Sequence, residues 1–248
     1  YQLNKKDVLH SWLKYKEGFS ADLVNIFLDT MQAKPGDWVM DPFMGSGTTA
    51  LVCQMRGINC IGYDVMPISS VSINAKSNAL KYDISEIQNM LDNIKSIKVP
   101  DNYQGKTPYV SITKNAYPEK NEKFLKYISD WRDNSNYSEG AKNLLTLCII
   151  NSLENCSYTS KVGQYLGWDA RSKKVEDVNK IREQKGLGPI KFKRVRENIL
   201  DSQQTIENEL EHIINDVKII QKNSSYNSNA EINFISGSAL NELPKISD

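Results

Sequence analysis

The chain reads as an α/β protein: a parallel sheet with helical crossovers, interrupted after its second strand by a large helical insertion. Three observations carry that reading. The apolar run Trp38-Val39-Met40 ends in Asp41-Pro42-Phe43-Met44-Gly45-Ser46-Gly47-Thr48-Thr49 and then in a helical pattern from Ala50 to Met55. A second apolar run, Asn59 to Tyr63, has Asp64 at its carboxyl end, and Pro67 then starts another helix. Far downstream, Ile232-Asn233-Phe234-Ile235-Ser236 reads as a further strand, ending in Gly237-Ser238-Ala239. A β-α-β-α succession with helical crossovers gives parallel strands.

Taken in order, residues 20–32 form an amphipathic helix, with Ser20 as N-cap and Leu23, Val24, Ile26, Phe27 and Met31 as its apolar face. Pro35-Gly36-Asp37 is a turn before the first strand, and Gly57 ends the helix that follows the glycine-rich stretch. Residues 99–118 are polar, carry three prolines and read as a loop. Helices are expected near 119–133 and 138–155, and residues 156–174 look irregular. After Gly186-Leu187-Gly188-Pro189 a long helix is expected. It is carried by Phe192, Val195, Ile199, Ile206, Leu210, Ile213, Val217 and Ile220 at three- and four-residue steps. The Asn/Ser-rich tract 223–229 is a linker. Three regions follow: an α/β part over 1–80, a mainly helical insertion over 81–230, and the return to the sheet over 231–248.

Composition narrows the class. With 248 residues, 40% hydrophobic, and a net charge of +1, the chain can bury a sizeable core. No segment approaches the ~18 consecutive apolar residues of a membrane helix, and residues 1–7 have no signal-peptide core. A soluble cytoplasmic protein is the expectation. Cys53, Cys60, Cys148 and Cys156 form no C-x-x-C pair, and His10 and His212 are the sole histidines, so buried reduced thiols are expected and no metal site. The neutral total hides an asymmetry. Residues 161–196 hold eleven Lys or Arg against four acids. Such a segment is either a solvated helical face or a surface for a polyanion.

The glycine-rich turn carries the chemistry. A strand ending in such a turn and running into a helix is a cradle for nucleotide-like cofactors. Gly45-x-Gly47-x-x-Ala50, with Asp64 seventeen residues beyond Gly47, fits the loose dinucleotide pattern. An acid at the end of the second strand accepts the hydroxyls of a ribose. That much serves NAD and S-adenosylmethionine equally.

The flanking residues separate the two. Asp41 to Thr49 (DPFMGSGTT) closely resembles motif I of the amino-group DNA methyltransferases, which methylate adenine N6 or cytosine N4. His10 to Ser20 (HSWLKYKEGFS) resembles their motif X, beside the methionine end of the cofactor. Gly62-Tyr63-Asp64 with Pro67 resembles motif II, and Phe234 to Ala239 (FISGSA) motif III, near the adenine. The resemblance covers residues 10–76 well and 231–243 moderately, and the insertion loosely. It implies a Rossmann-like methyltransferase sheet and S-adenosyl-L-methionine as cofactor. The implied cofactor residues are Phe19, Ser20, Asp41, Pro42, Phe43, Gly45, Ser46, Gly47, Thr48, Thr49, Asp64, Val65, Ser238 and Ala239. Backbone N–H groups from Gly45 to Thr48 suit the methionine carboxylate, and Asp41 its amine. Phe43 either covers an apolar part of the ligand or packs in the core, and Asp64 either holds the ribose or caps a turn.

The family's catalytic motif, Asp, Asn or Ser before Pro-Pro and an aromatic, is not in this sequence: none of its eight prolines are adjacent. No Pro-Cys pair offers the cysteine route of cytosine C5 methylation either. No catalytic residue is therefore assigned. The expectation is an incomplete sheet whose missing strands lie beyond residue 248 or on a second polypeptide, since the first strand would otherwise keep a bare apolar edge. The partner implied is double-stranded DNA with the target base flipped out. In the stretch 156–174, Lys161, Arg171, Lys173 and Lys174 suit phosphates, and Gln164, Tyr165 and Trp168 the bases. Tyr165 and Trp168 could equally pack against helices. Beside DNA methylation in a prokaryotic restriction–modification system, three readings stay open: an RNA base methyltransferase, a non-catalytic binding subunit and a nicotinamide-dependent enzyme.

Overall fold

A computed structural model describes residues 8–13, 15, 18–105, 113–162, 165–190, 198–223 and 229–245. The protein is a mixed α/β chain in two compact units. The first holds residues 1–90, 137–147 and 210–248, and the second 91–136 and 148–209.

The first unit is built on three parallel strands: β1 (Trp38–Asp41), β2 (Asn59–Asp64) and β5 (Ile232–Ser236), in the order β1-β2-β5. The register runs from Trp38↔Asn59 to Asp41↔Gly62 on one side of β2, and from Cys60↔Ile232 to Asp64↔Ser236 on the other. Thus the strand after the long insertion does return to the sheet, beside β2. Helix α1 (Ala21–Thr30) precedes β1, and α2 (Thr48–Met55) crosses from β1 to β2. Helix α3 (Pro67–Ser77), with Pro67 at its first turn, follows β2. Val24 and Leu28 of α1, Ala50, Val52 and Cys53 of α2, Cys60 of β2 and Ile73 of α3 share one core, against which Val39, Ile232 and Phe234 pack.

One sequence expectation for this unit changes. Ser20 caps α1, its Oγ accepting from Leu23 N–H at 3.2 Å. Of the expected apolar face, however, only Val24 is buried, beside Leu28, while Leu23, Ile26, Phe27 and Met31 are exposed. The helix carries two apolar stripes, and the sheet covers one. Trp38 and Met40 are also exposed, since alternation turns them away from the core that takes Val39.

The insertion contains α4 (Ile84–Ser96), α5 (Glu119–Asn134) and α6 (Glu139–Asn155), then strands β3 (Thr159–Val162) and β4 (Tyr165–Trp168). Helix α7 (Lys173–Gln184) and α8 (Ser202–Lys222) complete it, and α9 (Ala239–Glu242) follows β5. Residues 156–174 are therefore not irregular. β3 and β4 pair antiparallel, from Thr159↔Trp168 to Val162↔Tyr165. Their β-branched and aromatic content, with Gly163-Gln164 between them, is a hairpin signal. Ser172 then caps α7, its Oγ accepting from Val175 N–H. The long helix begins at Ser202, so Ile199 precedes it, and Phe192 and Val195 lie outside the described residues. Its apolar stripe is real from Ile206 to Ile220, all fully buried. The four cysteines are buried free thiols. Among the described residues no helix is long and apolar enough to cross a membrane, and no cluster of His, Cys, Asp and Glu could hold a metal ion.

Candidate functional site

The carboxyl ends of β1, β2 and β5 are stitched together by backbone. Met44 N–H donates to the Tyr63 carbonyl at 2.9 Å, and Gly237 N–H to the Asp64 carbonyl at 3.0 Å. Gly45 N–H donates to Asp64 Oδ2 at 2.8 Å, and Met66 N–H to Asp64 Oδ1 at 2.8 Å. Asp64 thus caps both the glycine-rich turn and the turn into α3, and it also faces the cavity above them. The glycine-rich turn lies flat on β2 because Gly62 has no side chain: a Cβ there would stand 1.9 Å from Met44 Cε.

Above these strand ends sits a cavity of about 360 Å³. Of the residues singled out in the sequence, Phe19, Pro42, Phe43, Gly45, Thr48, Asp64, Val65, Ser238 and Ala239 line it. Phe43 is 78% exposed, so it is no core residue. Tyr15, Gly18, Met44, Met66 and Gly237 line the cavity too and were not singled out. Each sits within two residues of a motif position or inside the stretch 10–20, which was the available signal.

Five candidates do not line the cavity; four of them hold the turn that does. Asp41 is buried, and its carboxylate accepts from Phe43 N–H at 2.9 Å and from the Thr49 hydroxyl at 2.5 Å. Asp41 thus holds the turn from within and does not line the cavity. Gly47 adopts φ +87° as N-cap of α2, and Ser46 turns its carbonyl down to α3. Ser20, the fifth, is occupied as the cap of α1.

In the second unit, the hairpin arranges the other candidates. Lys161 and Trp168 fall on one face of the ladder, and Tyr165 on the opposite face. Lys161 is exposed, and Tyr165 is 81% exposed. Trp168 is half-buried, with Lys174 Nζ 4.3 Å from its ring centroid, a cation–π contact. Lys173 is exposed, and Gln164 lies outside the described residues. Arg171 differs from its expected role: it forms a bidentate pair with buried Asp169, Nε–Oδ1 and Nη2–Oδ2 both 2.8 Å. Its charge is half spent inside the protein.

A family model described as DNA methylase matches residues 2–68, which contain the glycine-rich turn and Asp64. The chain is similar to the Type II methyltransferase M.BsoBI of Geobacillus stearothermophilus, 40% identical over 248 residues, all of this chain and 48% of that protein. It is 28% identical over 252 residues to the Type II methyltransferase M.AvaI of Nostoc sp., covering 99% of this chain and 49% of the relative. The Type II methyltransferase M.MjaII of Methanocaldococcus jannaschii matches 47% of the chain at 33% identity, over 22% of its own length. The chain spans about half the length of M.BsoBI and M.AvaI. No solved structure matches. These matches, with a glycine-rich turn and an acid at adjacent strand ends, support the amino-group (N6-adenine and N4-cytosine) DNA methyltransferase family that the sequence resembles.

Proposed function

We propose that this chain supplies the methyl-donor pocket, and part of the DNA-binding surface, of an enzyme that methylates an exocyclic amine of adenine or cytosine in DNA. The observation that carries the reading is the convergence of the glycine-rich turn, Asp64 and Ser238-Ala239 on one cavity. The donor is S-adenosyl-L-methionine, and the cavity's chemistry suits it. Its volume lies in the usual range for small ligands, and its lining mixes a carboxylate with Phe19, Phe43, Val65 and Met66. Each Asp64 oxygen already takes one backbone N–H and keeps a lone pair for a ribose hydroxyl. Phe43 and Val65 offer flat and aliphatic walls to an adenine, and Ser238 and Ala239 bound that end. The first amides of α2 have no intrahelical partner and suit the methionine carboxylate. When bound, S-adenosylmethionine supplies an electrophilic methyl group on its sulfonium. Asp41, Thr49, Ser46 and Gly47 act on the turn rather than on the ligand.

The group that presents the target amine belongs, in this reading, to a further α/β segment that adds a strand to β1, on the same or a second polypeptide. β1 pairs with β2 alone among the described residues, and exposed apolar side chains flank its free edge on both sheet faces. The hairpin and α7 in the second unit supply Lys161, Tyr165, Trp168, Lys173 and Lys174 to duplex DNA, from which the target base is flipped. The relatives' designation as Type II methyltransferases suggests a modification enzyme working in a prokaryotic cytoplasm.

The test is calorimetry with S-adenosylmethionine and with NADH, followed by transfer of a tritiated methyl group to duplex DNA and to RNA by the full-length protein. The expected result is binding of S-adenosylmethionine alone and labelling of DNA on an amine. Binding without labelling would identify a non-catalytic subunit, and preferential labelling of RNA would replace the substrate.

A further inference from the structure

Helix α3 turns a polar stripe inward. Ser69, Ser72 and Lys76, at positions i, i+3 and i+7, are all buried, and Lys76 is 1% exposed. Lys76 Nζ and Ser72 Oγ both donate to the Ser46 carbonyl oxygen, each at 3.1 Å. Among the described residues no carboxylate pairs with Lys76, and burial pushes its amine down to about 7. A methionine or leucine would fill this space without the cost of burying an amine. The amine therefore calls for a reason, and the hydrogen bond to Ser46 is the one it has.

The bond falls on one of the two peptides of the turn that precede a glycine at positive φ. Gly47 sits at φ +87° and has no Cβ, so the Ser46–Gly47 peptide can rotate at little local cost. It is pinned at both ends: its carbonyl by Lys76 and Ser72 from below, its N–H by the Met44 carbonyl at 2.9 Å. A flipped peptide would give up all three hydrogen bonds and set the Ser46 carbonyl oxygen against the Met44 carbonyl, placing a negative dipole end beside the first turn of α2, where it would repel a carboxylate.

We propose that Lys76 is a positioning residue: with Ser72 it locks the Ser46–Gly47 peptide in the orientation that leaves the start of α2 able to receive the anionic end of the methyl donor. The inference rests on the donor reading above, but the lock itself is defined without ligand. It assigns a role to a side chain that does not line the cavity and lies twelve residues beyond Asp64.

The test uses the full-length protein and its Lys76→Met and Ser72→Ala variants. Methionine keeps the volume and removes the amine, so thermal stability should hold or rise. S-adenosylmethionine affinity by calorimetry should fall about tenfold, the worth of one good buried hydrogen bond. Ser72→Ala, which leaves the lysine, should cost about threefold on the same basis. In ligand-free protein labelled with ¹⁵N-glycine, the Gly47 amide signal should move in both variants. An affinity within twofold of native in Lys76→Met, with the Gly47 signal unmoved, would overturn the proposal. If Lys76→Met does not fold, the same two readouts on Ser72→Ala decide. A native protein that binds no S-adenosylmethionine, while the Gly47 signal still moves, would overturn the donor reading and leave the lock standing.

Discussion

A Cβ at Gly47 would stand 2.7 Å from Ile73 Cγ1, on a residue held at φ +87°. Gly47→Ala should therefore destabilise the protein by about 2–4 kcal/mol, combining left-handed strain with overpacking. Urea unfolding checks this. The same substitution made with Ile73→Ala should cost less than the two single changes together, because the second removes the obstructing atom. Asp64 makes a different prediction. Asp64→Asn keeps the shape but loses a charged acceptor, and its amide nitrogen cannot take one of the two backbone N–H groups. Affinity for S-adenosylmethionine and for adenosine should fall by about 10- to 100-fold, the range of hydrogen bonds to a charged group, with methionine affinity unaffected. Equal losses for all three ligands would move Asp64 away from the ribose. Lys76 adds a pH dependence. Its pKa in the folded protein, about 7, lies below the ordinary 10.5, so the unfolded chain holds more protons between these values. Stability must then rise as pH rises from 7 toward 10, and Lys76→Met should flatten that slope. Denaturant titrations of both proteins at pH 7 and pH 9.5 measure the difference.

At the level of elements, the hairpin and α7 separate exposed charges from closely paired ones. Lys161 and Lys173 are exposed, and Lys174 rests on the Trp168 ring, whereas Arg171 is clamped by Asp169. Replacing Lys161 or Lys173 by Ala should lower the salt slope of DNA binding by about 0.9 each, one phosphate's worth of released counterions. Arg171→Ala should lower it less. It should also loosen the start of α7, because Asp169 loses the partner that neutralises a buried carboxylate. Equal slopes for Arg171→Ala and Lys161→Ala would show that the Asp169 pair opens on DNA. The elements also show which parts of the fold were legible. β1, β2, α2 and α3 were visible because turn residues, Gly57 and Pro67 punctuate short apolar runs. The hairpin was hidden by its brevity: four residues a side, with a glycine in the second strand, give alternation little length in which to show. The start of α8 was misplaced because apolar spacing continued upstream through Ile199, and spacing alone does not say where a helix caps. The same limit applies at the site. The glycine-rich turn and Asp64 were readable as a motif, but Lys76 reaches the turn through the packing of α3 beneath it, which no local spacing encodes. Sequence spacing also could not tell that Asp41 and Arg171 would spend their charges on Thr49, Phe43 and Asp169.

At the scale of the whole molecule, α1 and β1 leave apolar side chains exposed where the sheet stops. Ile26 is 60% and Met31 69% exposed on α1, with Leu23 and Phe27 on the same stripe. Trp38 and Met40 expose the opposite face of β1, so the free edge is apolar above and below. A strand added to β1, with a helix against each face, would cover both stripes, and an uncovered edge of this kind invites aggregation. The chain spans only about half the length of M.BsoBI and M.AvaI. Burial of a large apolar side chain is worth about 1.5–3 kcal/mol, so replacing two of them removes about 3–6 kcal/mol from the contact. In the full-length protein, Phe27→Ser with Met31→Ser should lower methyl transfer to DNA and open α1 to limited proteolysis. S-adenosylmethionine affinity should stay within a few-fold of native, since neither residue lines the cavity. If the added segment is a separate polypeptide, the same pair should abolish its co-purification. Leu240→Ser, at an exposed position away from α1 and β1, is the control and should leave transfer, proteolysis and association as they were. Unchanged transfer and unchanged proteolysis in the double variant would mean that the edge of β1 is covered by nothing, and that the amine-presenting group must reach the cavity from elsewhere.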